Sequence, residues 1–295
     1  MRFATIVADG RASVALVRGG HLVPLATPDW QHESLRSVRE IAASGADGVR
    51  RISDWLEHLP DPGSVSIGDV ELGPAVPDPG AIFTIGLNYW SPERQDGGGP
   101  DGGGADHGAP PRPLVYAKLP TSVSGHGSVL AWDRSLTANV DAEAELGVVI
   151  GEQAMNVEPE DAMRHVFGYT CINDMSSRDP WLDGDQWLLG KSMTGFCPVG
   201  PWIVTRDELV PDDLGIGCTI NGVAIQDGST ADMRFSIAEV ISYISRHTVL
   251  RPGDIIATGT PARLPGPLGP DRHLATGDVV TVWVEGIGEL TTTIA

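Results

Sequence analysis

The sequence predicts an α+β fold that is predominantly β, with a small α/β domain at its N-terminus. Three observations carry this expectation. Apolar residues fall mostly in short runs rather than in long helical periods. Gly (37) and Pro (23) together make about a fifth of the 295 residues and punctuate those runs. Asn221-Gly222 stands between two apolar stretches in CTINGVAI (218–225), a strong hairpin signal.

Taken in order, Phe3–Val7, Ser13–Val17 and Leu22–Leu25 read as strands, with a Gly19-Gly20 turn between the last two. Helical patterns follow around Ser34–Ala43 and Asp47–His58. The Pro/Gly-rich passage DPGSVSIGDVELGPAVPDPG (61–80) marks a boundary. It divides a small N-terminal domain, 1–75, from a main domain, 76–295. Residues 82–88, IFTIGLN, form an apolar strand entering a turn. The next stretch, 91–113, holds 7 Gly and 5 Pro in 23 residues. Such a segment cannot bury apolar surface and reads as a mobile loop, either a tolerated surface insertion or an active-site lid. Beyond it strands dominate again. Glu158–Phe167 reads as a short helix with Pro159 near its start and Gly168 at its stop. Ser236–Thr248 reads as a longer one. Ser236 and Glu239 fit a capping box there, ahead of the apolar positions Ile237, Val240, Ile241 and Ile244.

Charge excludes some functions. There are 39 acidic residues against 20 basic ones, a net charge of −19. Such a surface repels phosphate backbones and anionic membranes, so neither nucleic acid nor a membrane is expected as partner. No apolar stretch approaches the ~18 residues a spanning helix needs. Cys171, Cys197 and Cys218 are odd in number and form no CxxC, which points to reduced thiols in the cytoplasm. The first residues, MRFATIVADG, show no secretory signal. Only two basic residues are lysines, Lys118 and Lys191, against 18 arginines. Each lysine is therefore worth asking about.

Chemistry concentrates in a few segments. In VDAEAELGVVIG (140–151), strand alternation puts Asp141, Glu143 and Glu145 on one face. They are either a solvated edge or a set that needs a cation, because the strand runs on into apolar GVVIG. Oxygen-only ligands would select a hard ion, Mg²⁺, Mn²⁺ or Ca²⁺. In GYTCINDMSSRD (168–179), Asp174 could complete a three-carboxylate site. Arg178 could grip a substrate carboxylate with its planar fork, or simply pair with a surface Asp. Lys191 lies in the Gly-flanked apolar run QWLLGKSMTGFCPVGP (186–201) and suits a proton donor or charge stabiliser, unless it merely snorkels to water. The turn in GDIIATGTPA (253–262) offers backbone N–H groups that could hold a carboxylate, or is an ordinary strand end.

Together with IGLNY (85–89), NGVAIQDGSTADMRF (221–235) and GDVVTVWVEGIGEL (277–290), these segments resemble the fumarylacetoacetate hydrolase family. The resemblance covers about residues 80–295. It implies a rolled mixed β-sheet with a metal in its mouth, and a homodimer. It implies Mg²⁺ or Mn²⁺ held by Glu143, Glu145 and Asp174, and a catalytic lysine at Lys191. It places substrate contacts at Thr258, Gly259 and Thr260, at Gln226, and at Tyr89 of the IGLNY segment.

One departure stands out. Relatives carry GxNYxxHxxE, whose His–Glu pair activates water. The matching positions here are Pro92 and Gln95, and neither side chain can act as a base. Glu93 lies one residue off, and His107 in the inserted loop is the candidate replacement. The retained parts serve any reaction of a 2-oxo or β-diketo acid that passes through an enolate stabilised by a divalent cation. The expected activity is nominally C–C bond hydrolysis of a small anionic substrate. Isomerisation or tautomerisation of the same substrate class, and decarboxylation, are the alternatives. A non-catalytic, metal-stabilised binding protein is the reading from a different class.

Overall fold

The structure is a computed structural model that describes residues 1–25, 37–58, 63–90, 110–184, 186–265 and 272–295. Strands β1 (Arg2–Ala8), β2 (Arg11–Arg18) and β3 (His21–Pro24) form an antiparallel meander. Asp9-Gly10 and Gly19-Gly20 make its turns with positive φ at both central residues, the geometry that tight hairpins demand. Helix α1 (Val38–Ala43) starts at a capping box between Ser37 and Glu40. Helix α2 (Gly45–His58) follows directly.

The main body adds β4 (Ile82–Gly86), β5 (Leu114–Lys118), β6 (Ala144–Ile150), α3 (Pro159–Ala162) and β7 (Val166–Asn173). Then come α4 (Pro180–Gly184), α5 (Trp187–Lys191), β8 (Cys197–Thr205), β9 (Gly215–Ile220) and β10 (Val223–Ser229). Helix α6 (Ile237–Ser245) and strands β11 (Ile255–Ala257), β12 (Val279–Val284) and β13 (Gly288–Ile294) complete the order.

The expected helix over Glu158–Phe167 is shorter than the pattern suggested. After α3 a 3₁₀ turn covers Met163–His165, and β7 has already begun at Val166. Val166 pairs with Ile150 across the sheet, so ladder pairing overrides local propensity. The Asn221-Gly222 hairpin forms as expected, with both residues at positive φ between β9 and β10.

Among the described residues the larger sheet runs β3-β2-β1-β8-β7-β6-β11-β4-β5, flanked at β3 by the two-residue strand Val65–Ser66. Its pairs along this path are antiparallel except β11–β4, which makes the sheet mixed. Strand β1 pairs with β8 at Arg2↔Val204 and Phe3↔Ile203, so the N-terminal strands continue the main sheet. A second sheet runs β10-β9-β12-β13 and ends in Ser128–Leu130, parallel to β13.

Alternation along β6 separates two cores. Leu146, Val148 and Ile150 face the second sheet and α6, where they meet Ile216, Val282, Ile241 and their neighbours. Val149 faces the other way, into a core with Phe3, Val38, Ile41 and Ile52 from the N-terminal region. Each fully buried aliphatic side chain contributes about 1.5–3 kcal/mol. The three cysteines are free and buried, and burial pushes each thiol up to about 12, which leaves them unreactive. No helix among the described residues is long and apolar enough to cross a membrane.

Candidate active site and metal centre

The site lies where β6 begins and β7 ends. These strands are antiparallel, with Ala144 opposite Asn173 and Glu145 opposite Ile172. Asp174, one step past β7, donates its N–H to the Glu143 carbonyl at 2.9 Å. The Glu143 N–H goes to the Asn173 side chain at 3.1 Å. Carboxylate oxygens of Glu143, Glu145 and Asp174 thereby come within 4.8 Å of one another. Two sit away from water, Glu145 at 2% exposed and Asp174 at 1%, while Glu143 is partly buried.

Asp141 does not join them. The alternation read from sequence fails at Ala142 and Glu143, because Val140–Asp141 leaves the main sheet and pairs with Ser176–Ser177. Asp141 instead pairs with two arginines, Arg178 Nε at 3.2 Å and Arg263 Nη1 at 3.2 Å, and meets His273 Nδ1 at 2.9 Å.

Both lysines of the chain converge on the remaining cluster. Lys191 Nζ, at the end of α5, meets Asp174 Oδ2 at 2.6 Å, Glu143 Oε2 at 3.2 Å and Ser176 Oγ at 2.7 Å. Lys118 Nζ, at the end of β5, meets Asp174 Oδ1 at 2.6 Å and the Met175 carbonyl at 3.0 Å. Lys118 had no assigned role from sequence. Its scarcity as a lysine was the one signal that could have found it.

The carboxylates titrate differently. Burial opposes ionisation of Glu143, but Arg178 and Lys191 outweigh it and hold the group down to about 2. Burial, then Asp174 and Glu143, push Glu145 well above the usual carboxylate range. Among the described residues Glu145 accepts from one donor, the Gly259 N–H at 2.8 Å. Burial would lower Lys191, yet Asp174 and Glu143 hold it above the ordinary lysine range, so it stays protonated.

This donor set suits a hard divalent cation. Glu145 is the telling member, a buried carboxylate beside two others with no cationic side chain of its own. Positive charge placed among the three is what would let it ionise.

The other expected contacts sort as follows. Arg178 is not free for a substrate. It bonds Glu143 and Asp141 and lies 3.5 Å from Asp183, so its fork positions a ligand carboxylate. The turn at 258–260 supports the site in the same sense. Its Gly259 N–H serves Glu145, and its Thr258 N–H and hydroxyl go to the Leu146 carbonyl at 3.1 and 2.9 Å. Gly259 adopts φ +98°, and a Cβ there would meet Asn88 Cβ at 2.8 Å, so only glycine fits. Gln226 braces the turn, donating to Thr260 Oγ1 at 2.7 Å and the Pro261 carbonyl at 2.8 Å while accepting from Ala144 N at 2.8 Å. Tyr89 is 3% exposed. Burial first, then the charge of Glu145, raise its phenol above the ordinary range. His107, with Pro92, Glu93 and Gln95, lies outside the described residues.

The family model for fumarylacetoacetate (FAA) hydrolase C-terminal matches residues 81–295. The chain belongs to this family. Solved structures agree along its whole length. A fumarylacetoacetate hydrolase from psychrophilic Exiguobacterium antarcticum superposes with TM-score 0.80 at 31% identity, covering 100% of this chain and 99% of that one. Maleylpyruvate hydrolase from Sphingobium sp. SYK-6, in complex with manganese(II) and pyruvate, gives 0.77 at 26%, with coverage of 100% and 99%. A 5-carboxymethyl-2-hydroxymuconate delta-isomerase from Mycobacterium smegmatis gives 0.75 at 26%, again with 100% and 99%. The protein is thus an enzyme of a family whose members include hydrolases and isomerases, and its Glu143, Glu145 and Asp174 form an acidic cluster that could hold a metal ion.

Proposed function

We propose that the protein acts on a 2-oxo or β-diketo acid through an enolate, nominally as a C–C bond hydrolase that uses Mg²⁺ or Mn²⁺. One observation carries this reading: three carboxylates, two buried and one partly buried, within 4.8 Å of one another, with a protonated lysine on two of them. Glu143, Glu145 and Asp174 would hold the cation. Bound there, a divalent cation supplies Lewis acidity to the oxygens of a 2-oxo acid. The manganese and pyruvate held by the related maleylpyruvate hydrolase support the same pairing of ion and substrate class.

The chain's own groups have distinct tasks. Lys191 adds positive charge where the enolate oxygen develops and can deliver a proton to the enolate carbon. Arg178 and the Gly259 N–H fix Glu143 and Glu145, so the site needs little reorganisation during the reaction. Burial of the cluster excludes water and strengthens each of these interactions.

Isomerisation is the second reading. Pro92 and Gln95 stand where hydrolytic relatives carry the His–Glu pair. Moving a proton on an enolate needs no activated water. Product analysis with Mn²⁺ and a panel of acylpyruvates, oxaloacetate and 2-hydroxymuconate-type dienes decides between them. Release of a new acid from an acylpyruvate is the expected result. A shifted chromophore at constant mass would replace hydrolysis by isomerisation, and loss of carbon dioxide would replace it by decarboxylation. No turnover together with no Mn²⁺ binding would end the enzymatic proposal.

A further inference from the structure

We infer that Arg234 binds a second carboxylate at the far end of the substrate, so that the enzyme selects 2-oxo diacids over 2-oxo monoacids. The inference rests on the 2-oxo acid reading above. The sequence had offered Arg178 for this task, but Arg178 is committed to protein carboxylates. Arg234 is not. Its Nε and Nη1 are buried, and among the described residues neither has a hydrogen-bond acceptor. No carboxylate of the described residues lies within ion-pair distance of it. The other partly buried arginines near the site, Arg178, Arg263 and Arg272, each meet one. Donors left buried without acceptors cost stability, and a ligand carboxylate would recover that cost.

Position supports the same occupant. Residues 88–90 link the metal centre to Arg234. Asn88 donates to the Thr258 carbonyl at 2.8 Å, beside the Gly259 that serves Glu145. Tyr89 feels the charge of Glu145, and its hydroxyl is buried with no full hydrogen bond. Thr258 is near enough to ease the phenol's ionisation, but its own hydroxyl is given to Leu146. Trp90, half exposed, lies against the Arg234 guanidinium at 3.8 Å. Residues 88–90 thus tie the Arg234 guanidinium to the segment that carries the buried phenol and braces the turn beside Glu145. An open phenol and an open guanidinium on one such segment suit a chain with a polar middle and an anionic end.

The fork is also held in place. Arg234 N donates to the Asn88 carbonyl at 2.7 Å, and Trp90 N to the Asp232 carbonyl at 2.9 Å. Tyr89 bridges Met233, and Phe235 N donates to Asn88 Oδ1 at 2.9 Å. Little freedom remains to be lost on binding.

Calorimetry on the Mn²⁺-loaded protein with unreactive probes tests this. The diacids are 2-oxoglutarate, 2-oxoadipate and 2-oxopimelate; the monoacid is 2-oxobutyrate. Wild type should bind at least one diacid about tenfold or more tighter than the monoacid. Arg234→Met should erase that preference and leave the monoacid affinity unchanged, while Arg234→Lys should keep part of it. A preference that survives Arg234→Met, or its absence from wild type, overturns the role of Arg234 alone. Failure of wild type to bind any probe overturns the 2-oxo acid reading and the inference with it.

Discussion

Glu143 and Glu145 stand two residues apart and behave oppositely as acids. Glu143, held down to about 2 against its burial by Arg178 and Lys191, stabilises the fold above the ordinary carboxylate range. That contribution is lost as pH falls toward 2. Glu145 is raised, so its cost to the fold grows as pH climbs from the ordinary range to its own pKa. A carboxyl raised in this way keeps its proton to higher pH than an ordinary one, and a cation at the site competes with that proton. Titration with Mn²⁺ in buffers of different ionisation heat should show a proton released, and affinity should weaken as pH drops. Glu145→Gln should bind more weakly and release none; an unchanged proton count would place the proton elsewhere. The clustering of Glu143, Glu145 and Asp174 was legible in the sequence because the family motifs point at all three. Asp141 was misread by strand alternation, since the strand break at Ala142 and Glu143 just after it does not show in an apolar/acidic pattern. Arg234 was missed because nothing in a sequence distinguishes an unpaired arginine from a paired one.

At the scale of elements, the site depends on strands distant in sequence being neighbours in the sheet. Lys118 and Asp174 are 56 residues apart, and they meet because β5-β4-β11-β6-β7 lie in that order. The order of strands is a non-local fact, which is why the sequence showed the strands but not this contact. Lys118 has a fully buried side chain against a carboxylate 1% exposed. Removing one partner of such a pair leaves the other charge stranded. Lys118→Met should therefore cost about 3 kcal/mol, the low end of the usual range, because Lys191 remains on the other oxygen. Urea unfolding of metal-free protein measures it; a loss below about 1 kcal/mol would show that Lys191 alone satisfies Asp174. Hairpins were the most legible elements, since Gly19-Gly20 and Asn221-Gly222 state their turns outright. The end of α3 was not, because Val166 answers to its partner Ile150 rather than to its neighbours.

For the molecule as a whole, the mixed sheet shares two cores, one toward the second sheet and one toward α1 and α2. The acidic cluster stands where β6 begins and β7 ends, in the middle of the long sheet, and these strands send side chains into both cores. Binding there should accordingly stabilise the entire fold rather than one loop. Mn²⁺ at ~100 times its Kd should add about 2.7 kcal/mol, read as a raised melting midpoint relative to protein in chelator. Glu143→Ala should show no such rise; a rise of the same size would remove Glu143 from the ligand set.

The burial of Lys118 and Lys191 has a consequence at the surface as well. With both of the chain's lysines enclosed by the acidic cluster, every solvent-facing basic side chain other than histidine is an arginine. Acylating reagents, amine-directed cross-linkers and lysine-modifying enzymes meet no ε-amino group on the folded protein. Reaction of either lysine thus becomes a report that the centre of the sheet has opened.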